Sequence, residues 1–299
     1  MIWLIFALLA ALLTSLNTIF AKIGLRSINS NFATFFRTGI VIICAFVMCL
    51  ITNSLYEFPS LTLNNWIFLI LSGLATGCSW ICYFKALKMG DVNKVAPIDK
   101  SSFILTSILF LIFFFDDTTK GGNILTIIIL ITSLVLMFIG TLLMIDKKEK
   151  TVNTESRKWL FFAILSAVFA SLVSFFVKLG LQGISSNLGT LIRSIIVFFF
   201  SFLIVITKKD YKDTTKIESK GWIFLCLSGL TTGGAWLFEY YALNIENSSP
   251  LAVNAIGKLA ILLTMLFSFV FLKERFTKKS LLGLLLLTSG IILIIIFSL

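Results

Sequence analysis

The stretch WIFLILSGLATGCSW (66–80) returns as WIFLCLSGLTTGGAW (222–236), 156 residues later. From Trp66 to Leu87, 13 of the 22 positions are identical to their counterparts in 222–243. The same offset aligns residues 3–41 with 159–197 without a gap, pairing Lys22 with Lys178, Asn31 with Asn187 and Arg37 with Arg193. The chain is therefore a duplication, with a first repeat over 1–150 and a second over 151–299. Both copies are strongly apolar. A duplicated chain of apolar segments is how many transporters build two interconvertible access states.

Each repeat contains five apolar runs. They cover roughly 2–22, 32–52, 65–87, 93–114 and 123–145, then 158–178, 188–207, 221–243, 250–272 and 279–298. Each run is long enough to cross a hydrocarbon core of about 30 Å as a helix. The runs are continuously apolar with no ten-residue alternation, so helices are preferred over a barrel. The expected fold is all-α and integral to the membrane, with ten transmembrane helices and no soluble domain. The first run has neither a basic leader nor a cleavage site and aligns with the sixth, so it reads as a mature helix.

With 58% hydrophobic residues and a net charge of +11, lipid headgroups are a better partner than nucleic acid, because the basic residues lie between the apolar runs. There is no His, and the five Cys (44, 49, 78, 82 and 226) sit inside the runs. They read as buried thiols, with no metal and no cofactor expected.

The basic residues are lopsided. Nineteen of the 25 Lys and Arg lie at the odd-numbered connections, and the even connections and termini hold only Lys120 and Lys178. Short basic loops stay cytoplasmic, so both termini are expected outside a cytoplasmic membrane. The charges also mirror across the duplication. TNSLYEFPSLTLNN (52–65) has no Lys or Arg, whereas its counterpart TKKDYKDTTKIESK (207–220) has five Lys. An odd number of spans per repeat forces opposite orientations, and this mirror pattern is what inversion predicts.

The chain resembles the drug/metabolite transporter superfamily, EamA type, and looks like a tandem fusion of its five-span members. The resemblance rests on Arg37 and Arg193 early in the second run of each repeat, and on the Ala-Leu pairs 86–87 and 242–243. It rests also on FVFLKERFTKKSLLGLLLLTSGIILI (269–294). The first repeat departs from that ending, with Asp116 where the second has Glu274. The resemblance implies a ten-helix transporter of small solutes and favours export. It also implies cytoplasmic termini, against which the loop charges are followed here.

Polar and aromatic residues inside the runs are the candidate substrate-binding set. Trp80 and Trp236 lie seven residues past Gly73 and Gly229, too deep for an interfacial belt, and can wall a cavity. Trp3, Trp66, Trp159 and Trp222 sit at run starts and read as belt anchors. Asp99 and Lys100 lie in VAPIDKSS (95–102), and Lys258 matches Lys100 in VNAIGKLA (253–260). Intramembrane charges are costly, so these three are functional candidates by default. Glu239 and Tyr240 replace Tyr83 and Phe84 of the first repeat, an asymmetry that points to a particular ligand. Asn17 and Asn254 complete the set, Asn254 sharing a helix face with Lys258. Lys22, Lys178, Arg37 and Arg193 read as helix-end residues reaching the headgroups. LSGLATG (71–77) and LSGLTTGG (227–234) read as close-packing faces.

The expected function is secondary transport of a small metabolite by alternating access. An amino acid or similar zwitterion fits if both acids ionise, and an organic anion fits if Glu239 faces water. Proton coupling through a buried acid and facilitated exchange both stay open, while no GxxxxGK[ST] loop supports ATP drive. The alternatives are a lipid-linked carrier or flippase, and a non-transporting assembly subunit. An enzyme is not expected. A monomer or a weak homo-oligomer suffices, since both repeats share one chain.

Overall fold

The protein is described from a computed structural model that covers residues 2–26, 28–115, 123–144, 158–211, 218–244 and 250–298. Ten helical spans are seen among the described residues. They are α1 (Ile2–Gly24), α2 (Ser30–Ile51), α3 (Leu63–Met89), α4 (Val92–Phe113) and α5 (Ile124–Met144) in the first repeat. The second repeat contributes α6 (Lys158–Gly180), α7 (Ser186–Lys208), α8 (Ser219–Asn244), α9 (Pro250–Phe267) and α10 (Lys278–Ser298). Eight are long and apolar enough to cross a membrane, and α9 contributes to a shorter apolar helix that runs to Leu272. No strand occurs among the described residues.

Local chemistry sets the boundaries. Asn29 caps α2 by accepting the Asn31 N–H at 2.9 Å. Thr62 and Asn65 form a reciprocal capping box on α3, which satisfies two otherwise orphaned donors. Pro250 opens α9, where a missing N–H costs nothing. Within α4 the helix breaks at Ser101, one turn beyond Pro97, and Lys100 closes its first half. The Ser101 N–H and hydroxyl hold the carbonyls of Pro97 and Ile98 at that break.

The packing follows a pseudo-twofold axis that exchanges α1–α5 with α6–α10. Span α3 packs most extensively on α6, and its mate α8 does the same on α1. Spans α2 and α7 face each other, and so do α5 and α10. The small residues make these contacts possible. A Cβ on Gly73 would lie 2.8 Å from Ile196, and one on Gly229 would lie 2.9 Å from the equivalent Ile40. Gly77 meets Phe200, and Gly233 meets Cys44 in the same register. A Cβ on Gly140 would sit 2.6 Å from the Gly283 carbonyl, whereas Gly290 approaches Ser133 and Met137. The equivalent spans α5 and α10 thus run antiparallel, which is the inversion expected from the charges. The close approach of backbones at Gly and Ser is the usual substitute for hydrophobic drive inside lipid.

The spans turn large apolar side chains outward, among them Ile43, Phe138, Phe199, Phe271 and Ile296. In a water-soluble protein such surface would aggregate; here it meets acyl chains.

Candidate functional site

A cavity of about 260 Å³ lies where the two repeats meet. Its wall is made almost entirely of symmetry pairs. Thr14 stands opposite Ala170, Asn17 opposite Val173, Arg37 opposite Arg193, Thr76 opposite Thr232, Ser79 opposite Ala235 and Trp80 opposite Trp236. Lys100 completes the lining. The four spans α1, α2, α3 and α4 of one repeat and α6, α7 and α8 of the other therefore each contribute one face.

Arg37 and Arg193 stand seven residues into α2 and α7, about 10 Å from the respective helix starts. Because the repeats are inverted, they reach the cavity from opposite membrane faces. Each arginine crosses to the other repeat. Arg37 Nη2 donates to Thr232 Oγ1 and, at 3.0 Å, to Asn17 Oδ1. Arg193 Nη2 donates to Thr76 Oγ1 at 3.2 Å. Asn17 is itself held by Ser228, whose hydroxyl donates to its Oδ1 at 2.7 Å.

The two arginines differ in enclosure. Arg37 is 3% exposed. Its guanidinium lies 4.8 Å from the Trp80 ring centroid and 5.0 Å from that of Phe84. A desolvated cation on such faces gains about 2 kcal/mol. Arg193 is only partly buried. The reading of both arginines as helix-end residues in the headgroups is overturned: both line the central cavity and donate to side chains of the other repeat. Lys22 is also held by protein, donating to the carbonyls of Leu87 and Gly90. Lys178 lies 4.5 Å from the Phe114 ring.

The structure brings Trp80, Trp236, Lys100 and Asn17 together in the wall. Asp99 stands behind Lys100, 3.9 Å from its ammonium, and accepts a bond of 2.8 Å from Ser166 of α6. Tyr83 lies off the wall and donates to Thr18 at 3.4 Å. Glu239 is half-buried on α8 and is not part of the lining. The side chains of Tyr240, Asn254 and Lys258 lie outside the described residues, as does Asp116. The arginines and the Thr76/Thr232 pair were missed as site residues, although each is duplicated inside an apolar run, which is the signal that finds them.

Chemically, the described lining carries three cations, hydroxyl and amide groups, and two indole faces, with no carboxylate. The cations and amide and hydroxyl donors are chemically suited to negative charge, and the indole faces to an apolar or aromatic body.

A model of the EamA-like transporter family matches residues 1–139 and again 157–296. Over 107 residues the chain is 46% identical to the "Uncharacterized transporter in cobO 3'region" of Sinorhizobium sp. That alignment covers 36% of this chain and 75% of the relative, which is thus about half as long. Over 137 residues it is 30% identical to mouse "Solute carrier family 35 member G1", covering 46% of this chain and 35% of that one. A solved crystal structure superposes over 98% of this chain and 97% of its own, with a TM-score of 0.66 and 12% identity. That likeness is one of fold.

Proposed function

The chain belongs to the EamA-like transporter family, and on that premise we propose that it moves a small organic anion by alternating access between its two repeats. The observation that carries this reading is the convergence of Arg37, Arg193 and Lys100 on one cavity with no acidic side chain in the described lining. Lys100 already has Asp99 beside it, whereas Arg37 and Arg193 donate to neutral Thr and Asn oxygens, which the carboxylate or phosphate of an anionic substrate can replace with stronger, charge-assisted bonds. The cavity is slightly below the usual range for drug-sized ligands, so a metabolite with one or two acid groups is the right size. Trp80 and Trp236 then enclose its carbon skeleton.

The mechanism follows from the difference between equivalent arginines. Arg37 is sealed by Asn17, Thr232, Trp80 and Phe84, while Arg193 is partly exposed. Inversion makes the opposite access state the one with their roles exchanged. The substrate passes from one arginine to the other as each trades its threonine for the anion. With the termini outside, the sealed Arg37 end faces the cytoplasm and the partly exposed Arg193 end faces outward. Export through a cytoplasmic membrane is the direction favoured by the family resemblance.

A thermal-shift screen of purified protein against carboxylates, phosphorylated metabolites, amino acids and amines tests the reading, because a ligand of the native state raises its melting temperature. Anions are expected to stabilise, and Arg193→Gln and Lys100→Gln to remove the effect. Stabilisation by amines alone, or by anions equally in both variants, would overturn it.

A further inference from the structure

A second hollow, of about 660 Å³, lies at the membrane face where the α3–α4 turn meets the α9–α10 connection. It shares no lining residue with the central cavity. Two carboxylates border it, and both are already engaged. Asp91 pairs with Lys94 at 3.2 Å. Glu274 accepts the backbone N–H groups of Val92 and Asn93 at 2.8 and 2.9 Å, and the Ser268 hydroxyl as well. Around the same hollow stand Lys273, Arg275, Lys278 and Lys279, all exposed. Among the described residues no carboxylate lies within ion-pair distance of any of the four.

Four cations around one hollow, none within pairing distance of a described carboxylate, repel each other and attract an anion. The floor of the hollow is apolar, formed by Met144 and Leu272. On the helical segments that flank it, Phe271, Leu281, Leu282 and Leu285 are exposed. A cationic rim above an apolar wall, at the level where helices leave the hydrocarbon, matches one molecule in its surroundings: a headgroup phosphate with acyl chains beneath it. A free phosphate would use the rim and leave the wall unused.

We propose that this basin holds the phosphate of an anionic glycerophospholipid from the adjacent leaflet. The lipid neutralises the rim and lays its chains along α9 and α10. The site is independent of the central cavity and of the identity of the transported solute.

The test is the melting temperature of the detergent-purified full chain with added phosphatidylglycerol, phosphatidylcholine or inorganic phosphate. Phosphatidylglycerol is expected to raise it by several degrees more than phosphatidylcholine. The triple variant Lys273→Gln/Arg275→Gln/Lys278→Gln is expected to lose at least half of that difference. Its control, Lys208→Gln/Lys209→Gln/Lys220→Gln, removes the same charge from another basic connection and is expected to keep it. If the triple variant does not fold, Arg275→Gln and Lys278→Gln alone are read against Lys209→Gln. Equal stabilisation by the two lipids overturns the proposal. So does equal loss in rim and control variants, which marks diffuse charge, and so does full reproduction by inorganic phosphate, which marks a soluble ligand.

Discussion

At the residue scale, the arginine pair carries the argument. A guanidinium offers five donors in a plane and stacks on aromatic faces, and lysine does neither. Arg37→Lys therefore keeps the charge but gives up the contacts to Trp80, Phe84 and one of Asn17 or Thr232. Transport in reconstituted vesicles is expected to fall at least tenfold while the amount of folded protein holds; unchanged transport would mean that Arg37 acts only as a charge. Thr232→Val leaves a buried arginine donor without its acceptor, at a cost of about 1–3 kcal/mol. Its melting temperature should drop, and more than for Thr231→Val, whose hydroxyl bonds only carbonyls of its own helix. The sequence put Trp80, Trp236, Lys100 and Asn17 among the candidates because deep aromatic and polar residues in lipid need a reason. It misplaced the arginines because nothing in linear order marks the helix face they occupy, which turns Arg37 across to Thr232 and Arg193 across to Thr76.

At the scale of elements, glycine positions divide into two kinds. Gly140 lies against the backbone of α10, where neither Gly283 O nor Leu287 N can withdraw without moving the helix. Gly140→Leu is expected to abolish recovery of monodisperse protein on gel filtration. Among the described residues nothing lies within 4 Å of a Cβ added at Gly257, so Gly257→Ala should stabilise α9 by roughly 0.5–1 kcal/mol through helix propensity. A lowered melting temperature there would show a close neighbour at that position. Glu274 is the other element-level device, because its carboxylate ties the α9–α10 connection to the first turn of α4. Bonds to a charged acceptor are worth about 1.5–3 kcal/mol. Glu274→Gln is therefore expected to speed hydrogen exchange at Val92 and Asn93 about tenfold or more, with exchange in the middle of α3 unaltered. No change at those amides would mean the tie is unimportant in solution.

At the scale of the molecule, the two repeats form one body whose axis passes between α2 and α7 and between α5 and α10. Its orientation in the membrane is tested by cysteine scanning with an impermeant thiol reagent. Tyr56→Cys, in the connection after α2, is expected to label from outside intact cells, because Tyr56 is 86% exposed. Tyr211→Cys, after α7, should label only after permeabilisation. The reverse result would place the termini in the cytoplasm and reverse the assignment of Arg37 and Arg193 to the two faces.

The sequence by itself determined the ten spans, the duplication and its inversion. Span length is set by bilayer thickness, and the repeat and the loop charges are written in linear order. The small-residue faces were legible for the same reason, since LSGLATG recurs with its spacing intact. The tertiary structure alone decided which residues meet. Arg37 finds Thr232, and Arg193 finds Thr76, across 195 and 117 positions of chain. Glu274 finds the start of α4 across 182. Such contacts depend on which helix faces turn toward the axis, and apolar side chains at every turn of a span in lipid leave that rotation unmarked in the sequence.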